Sequence, residues 1–188
     1  MARWDPGAEQ RLKRAALELF MERGYDNVTV THIAERAGLT RRSYFRYFPD
    51  KREVLFSGSE HLPPALAEAV LAANPDVAPL TAALDAFVRV GAQLAEQVDG
   101  ATERRAVIDA SPELQERERT KAVAITEALR DALKQRQVRA ETAELVAQLA
   151  TMIFGNAFRR WIESKGHASF GNCLHTVTDE LRAALAGT

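Results

Sequence analysis

Apolar residues recur every three to four positions along most of the chain, and no stretch alternates strictly between apolar and polar, so the pattern predicts an all-α protein. Leu12, Ala16, Leu19 and Phe20 form the first stripe, in a helix predicted from Pro6 to Arg23 and stopped by Gly24. Val30, Ile33, Ala34 and Ala37 give a second, shorter face that begins after Thr29, a good N-cap. Gly38 follows at once, where a helix end needs a left-handed residue. Thr40 caps a third helix predicted over 41–47, which must end before Pro49 because the residue preceding proline avoids the helical region. Asp50-Lys-Arg-Glu53 has the spacing of another helix start, and Val54, Leu55 and Phe56 open its apolar face.

Beyond Pro63-Pro64 the helical period resumes over 65–73 and again over 80–97. A turn at Asp99-Gly100 leads into a short helix ending near Ala110. Ser111-Pro112-Glu113 restarts the chain with a hydroxyl cap, a proline at the first helical position and an acid at the positive end of the dipole. That helix reaches about Gln135. Two more follow, over 140–164, stopped by Lys165-Gly166, and over 170–185. The predicted organisation is a three-helix N-terminal domain, residues 1–56, and a helical C-terminal domain, residues 57–188.

The segment 29–48 carries the chemistry. Two short helices joined through Gly38 make a helix-turn-helix, and the second presents arginines outward, as an element entering the DNA major groove must. Tyr44 and Phe48, with Leu39, face the first two helices as core. Arg41, Arg42, Phe45 and Arg46 fall on the opposite side. Arginine donates two parallel hydrogen bonds to the guanine O6/N7 edge, while Phe45 can lie against thymine methyls or sugars. Thr29, Thr40, Tyr47 and Lys51 sit at helix starts and ends, placed to hold phosphates.

The C-terminal domain is less specific. Phe87, Ile108, Ile125, Leu129, Met152 and Phe158 are candidates to line a ligand pocket, with Asn156 and Arg105 as polar groups able to orient a small molecule; each apolar member serves equally well as ordinary core. Leu145, Leu149, Met152 and Trp161 occupy one part of helix 140–164, and Ala143, Ala147, Ala150 and Phe154 another. A helix apolar on two sides is buried on two sides. A second copy of the chain is therefore the expected partner, through Ala147, Phe154, Trp161, Leu174, Val177 and Leu181.

Composition narrows the function further. The net charge is −1, but residues 1–56 hold 11 Lys/Arg against 8 Asp/Glu, and residues 57–188 hold 14 against 18. A basic head on an acidic body fits a phosphate partner for the head alone. No apolar run reaches membrane-spanning length, and the N-terminal residues lack a secretory core, so a cytoplasmic protein is expected. His32, His61, His167 and His175 are scattered without zinc spacing, and there is neither a phosphate loop nor a nucleophile elbow. No cofactor, no metal and no enzymatic activity are expected. Cys173 has no partner for an intrachain disulfide.

Three blocks in order, Glu18-Leu-Phe-Met-Glu-Arg-Gly-Tyr25, Ile33-Ala-Glu-Arg-Ala-Gly-Leu39 and Tyr44-Phe-Arg-Tyr-Phe-Pro-Asp-Lys51, resemble the N-terminal domain of TetR family regulators over residues 8–56. The run Arg41-Arg-Ser-Tyr-Phe-Arg-Tyr-Phe48 and the body resemble more distantly the subgroup that includes mycofactocin-type regulators. The resemblance implies a homodimer on a palindromic double-stranded DNA operator, usually a repressor, released by a small-molecule effector in the C-terminal domain. It places Thr29, Thr40, Arg41, Arg42, Ser43, Phe45, Tyr47 and Lys51 at DNA-contacting positions. The chain departs from the common pattern at Phe45, where a tyrosine often donates to phosphate, and at His32, where a capping-box Glu or Gln would sit. The alternative is a helical small-molecule-binding or interaction protein whose head has stopped reading DNA. Against it, Thr40-Arg-Arg-Ser43 and Lys51 are all retained.

Overall fold

A computed structural model describes residues 7–95, 100–165 and 167–187. Ten α-helices account for its regular structure apart from one 3-10 turn at Ser59–His61, and no strand occurs among the described residues. They are α1 (Ala8–Arg23), α2 (Val30–Arg36), α3 (Arg41–Tyr44), α4 (Glu53–Phe56), α5 (Leu62–Leu71), α6 (Pro79–Ala95), α7 (Ala101–Asp109), α8 (Pro112–Gln135), α9 (Ala140–Glu163) and α10 (Phe170–Ala186). The all-helical architecture predicted from periodicity is therefore the one found. The predicted start at Pro6, the end of α6 near residue 97, Asp99 of the turn and Gly166 of the last stop lie outside the described residues.

The chain divides into two compact units. The first combines the chain up to Gly58 with Gly100–Arg119, and so holds α1 to α4, α7 and the start of α8. Its core joins Leu12, Leu19 and Phe20 of α1, Ile33 and Ala34 of α2, Tyr44, Phe48 and α4 to Val107, Ile108 and Leu114. The sequence-based division at residue 56 assigned residues 100–119 to the body; their apolar side chains instead complete this core. Periodicity shows that a face is apolar but not which distant face covers it.

The second unit holds residues 59–99 and 120–188. Here α6 packs against α5, α9 and α10, and α9 packs against α10. Gly91 permits close approach of α6 and α10: a Cβ there would lie 2.4 Å from Cε1 of Phe170. Arg136, just past α8, donates to the carbonyls of Val70 (2.9 Å), Ala73 (2.7 Å) and Asn74 (2.8 Å), closing the end of α5 and the loop after it. Carbonyls at and beyond a helix end lack the full set of intrahelical donors, and one guanidinium adds several bonds to those the turn amides make.

Candidate nucleic-acid interface

The turn between α2 and α3 is built as its residues require. Gly38 has φ 69°, and the Gly38 and Leu39 amides donate to the carbonyls of Glu35 (3.0 Å) and Ala34 (2.8 Å). This paired pattern closes a helix through a left-handed residue. The Thr29 hydroxyl accepts from the His32 amide at 3.2 Å, and the Thr29 amide donates to His32 Nδ1 at 3.3 Å. His32 thus performs the reciprocal role that Glu or Gln usually takes in a capping box, with its imidazole nitrogen as the acceptor. A bidentate pair between Arg36 and Glu22 (2.9 and 2.8 Å) ties α2 to α1.

Thr40 caps α3, accepting from the Ser43 amide at 3.1 Å, with its hydroxyl 3.0 Å from the Ser43 hydroxyl. Regular helix ends at Tyr44 rather than reaching residue 47. Hydrogen-bonded turns continue to Phe48, whose amide and that of Tyr47 both donate to the Tyr44 carbonyl (3.0 and 2.9 Å). Tyr44 is fully buried and its hydroxyl donates to the Asp50 carbonyl at 3.1 Å. Burial disfavours its phenolate and pushes its pKa up. On the other side Arg41, Arg42, Phe45 and Arg46 are exposed, and Ser43 and Tyr47 are half-buried.

Lys51 differs from the free phosphate contact expected of it. Its ammonium donates to the Tyr25 carbonyl at 2.9 Å and lies 3.8 Å from the centre of the Tyr25 ring. Burial lowers its pKa. Tyr25 in turn donates from its hydroxyl to Glu113 Oε1 at 3.1 Å. Glu113 also lies 3.6 Å from Arg52 Nε, and Arg52 pairs with Asp50 at 2.8 Å. The Asp50 carboxylate accepts from the Arg52 and Glu53 amides (2.8 and 3.1 Å). Desolvation opposes its ionisation, but Arg52 and these amides outweigh it and hold its pKa low.

Contacts distant in sequence complete this frame. Glu53 accepts from Arg117 Nε at 2.5 Å, and Arg104 Nε donates to the Leu55 carbonyl at 2.6 Å while its guanidinium lies over the Phe56 ring. Burial lowers the Arg104 pKa to about 10. Sequence reading missed all of these. The partners lie about 50 to 90 residues apart, and only the acid after Pro112 gave any hint.

The ligand-pocket candidates do not converge. Phe87, Ile125 and Leu129 are buried together in the second unit, with Phe158 packed against their cluster. Ile108 lies instead in the first unit's core, and Arg105 pairs there with Asp109 and Glu118, both at 2.7 Å. Met152 is 51 % exposed, and Asn156 is exposed and donates to the Met152 carbonyl of its own helix. The interface candidates also move. Ala147 and Leu174 are buried within the second unit, and Phe154 stacks on Phe87 at 4.5 Å, with Trp161, Val177 and Leu181 packed against the same cluster. The outward stripe of α9 is Leu145 and Met152, one helical face four and three residues around from the half-buried Leu149. Both apolar sides of this helix were legible; which one turned inward was not. No helix among the described residues is long and apolar enough to cross a membrane.

Residues 12–57 match the family described as bacterial regulatory proteins, tetR family. The HTH-type transcriptional regulator TcmR of Streptomyces glaucescens is 35% identical over 108 residues, which cover 51% of this chain and 48% of that protein. The chain thus matches about half the length of this curated relative. Its fold is similar to that of SmeT in a complex with triclosan, with a TM-score of 0.65 at 15% identity, over 95% of this chain and 91% of the other. It is also similar to FadR of Thermus thermophilus, a TetR family transcriptional repressor in complex with lauroyl-CoA: TM-score 0.50, 24% identity, over 96% and 94% of the two chains.

Proposed function

We propose that this chain, whose residues 12–57 match the tetR family of bacterial regulatory proteins, is a DNA-binding transcriptional regulator of that family, a repressor that leaves its operator when a small molecule binds. The observation that carries this reading is the α2–α3 turn, which presents Arg41, Arg42 and Arg46 on one exposed face while Tyr44 and Phe48 anchor the other. The arginines meet base edges and phosphates, and Thr29, Thr40, Ser43 and Tyr47 hold the backbone. Lys51 already commits one of its three N–H donors to the Tyr25 carbonyl and is half-buried over that ring, so its contribution to a phosphate is smaller than that of the exposed arginines.

The regulator acts as a homodimer on a palindromic operator, its two heads spaced for major grooves about 34–36 Å apart. Support comes from the exposed apolar side chains of the second unit: Leu145 is 66 % exposed, Met152 51 % and Leu185 77 %. Such side chains call for a partner, and identical copies most often meet about a two-fold axis. The effector is apolar or amphipathic. Triclosan and the lauroyl chain in the similar structures are of this kind, and the second unit's interior is built from Phe87, Ile125, Leu129, Phe154 and Phe158.

Selection of bound sequences from random duplex DNA, followed by titration at several salt concentrations, tests the reading. A palindromic preference and an affinity falling steeply with salt are expected. Uniform weak binding to every duplex refutes it. Met152→Glu should dissociate the dimer in sedimentation runs, and a monomeric wild type that binds the selected palindrome in full refutes the assembly.

A further inference from the structure

The outward arginines near α3 are of two kinds. Arg41 lies over the Phe45 ring, its guanidinium carbon 5.4 Å from the centroid, and Arg46 lies over Tyr47 at 5.3 Å with a 3.4 Å hydrogen bond to the phenol oxygen. Arg42 is exposed and, among the described residues, has no ring or carboxylate partner. Phe45 itself is unusual, a large apolar ring left 44 % exposed. It is nevertheless held from behind. Tyr44 meets it edge-on, with centroids 5.7 Å apart and planes at 83°, and Tyr44 is buried and bonded to the Asp50 carbonyl.

We propose that Phe45 is a positioning residue for base recognition: it holds the Arg41 guanidinium in one plane, and Arg41, not Arg42, sets the preference at one base pair. The inference rests on the reading that this face binds DNA. A bidentate contact to guanine requires a guanidinium of defined plane, whereas a free arginine samples many rotamers. Stacking on a ring restricts that plane and leaves the edge N–H groups free to donate. A phenylalanine here has no hydroxyl to give a phosphate, so it acts through its face. The Asp50 carbonyl, the Tyr44 ring, the Phe45 ring and Arg41 then form a series in which each group orients the next. Arg42, without such a platform, interacts with the backbone as a mobile charge.

The test uses the full chain and the duplex that wild type selects from a random-sequence library. Arg41→Ala and Phe45→Ala should each weaken binding by about tenfold, in the range of one base contact, and relax the preference at the same base pair. The double variant should be no weaker than Arg41→Ala alone, because the second change removes a support already idle. Phe45→Tyr keeps the ring and should retain affinity and preference within about twofold, whereas Phe45→Leu keeps bulk without a π face and should resemble Phe45→Ala. Arg42→Ala should weaken all sequences alike. Thermal melts by circular dichroism verify that each variant is folded. Multiplying effects of the Arg41 and Phe45 substitutions, or relaxation at a different base pair in Phe45→Ala, would overturn the proposal, since Phe45 would then touch DNA itself. A wild-type Phe45→Leu would overturn it too, leaving only a packing role. If wild type selects no sequence at all, the DNA-binding reading fails first, and this inference with it.

Discussion

The two units solve packing by different means. In the first, an apolar core is ringed by side chains bonded to particular backbone carbonyls, Tyr44 on Asp50, Lys51 on Tyr25 and Arg104 on Leu55, together with the side-chain pair of Glu53 and Arg117. In the second, directional bonds such as those of Arg136 close the end of α5, but between α6, α9 and α10 alanines let helices approach and rings packed face to face and edge-on fill the space. Hydrogen bonds are directional and fix groups to a few tenths of an ångström; dispersion between rings tolerates sliding. A surface that must match a duplex needs the former. An interior proposed to admit an apolar or amphipathic effector is served by the latter.

The sharpest way to break this contrast is to remove one anchor ring from each unit. Tyr44→Ala and Phe87→Ala should each cost about 3–5 kcal/mol, since both side chains are fully buried. Only Tyr44→Ala should also abolish specific DNA binding at temperatures where the protein stays folded. Equal loss of DNA binding from both, measured below each melting temperature, would erase the distinction.

Removing a directional contact comes next. Glu53→Gln leaves Arg117 without its charged partner and should destabilise by about 1.5–3 kcal/mol in urea titrations. A double-mutant cycle with Arg117→Gln should recover most of that loss; additive effects would mean that the pair is not coupled. Gly91→Ala probes the second unit's tolerance. The added methyl meets a largely buried Phe170, and overpacking of this kind costs about 1–3 kcal/mol. A value near zero would show that stacked rings slide even more freely than argued.

Smaller effects sharpen the picture of the first unit. Thr40→Ala removes the cap of α3 and should cost about 1 kcal/mol, with Thr40→Ser restoring it. Asp50 adds a pH dependence. Its folded pKa lies below the ordinary 3.8, so the folded state favours the carboxylate. That stability is present above the unfolded pKa and is lost as pH falls through the folded one. Acid titration of wild type against Asp50→Asn should therefore diverge above pH about 4 and converge well below it. Curves that stay parallel throughout would mean that the pairing with Arg52 and the amides contributes nothing.

Much of the first unit was legible because its signals are local. Gly38, Thr29 and Thr40 act within a turn of their own backbone, and Tyr44 and Phe48 follow from spacing on a short helix. The early end of α3 at Tyr44 was less so, because the restriction before Pro49 says that a helix must stop by then, not how many residues earlier its regular hydrogen bonding ends. His32 shows the same limit from another side. Its ring nitrogen takes the place of a carboxylate, a substitution of chemistry that residue patterns do not encode.

By itself, then, the sequence determined where helices form, the Thr29 and Thr40 caps, the helix-turn-helix and its exposed face, since each depends on neighbours within a few residues. Exact bounds were coarser, α3 stopping at Tyr44 and α5 beginning at Leu62 with Pro63 and Pro64 in its first turn instead of after them. Tertiary structure alone decided that residues 100–119 join the first unit and that Phe154 and Ala147 turn inward while Met152 turns out. It alone brought Lys51 to Tyr25, 26 residues away, whereas Arg41 over Phe45 is a local contact between side chains four residues apart. Periodicity specifies that a face must be buried, but burial energy is non-directional and accepts any apolar surface of suitable shape. Which surface it meets is settled only when all the helices pack at once.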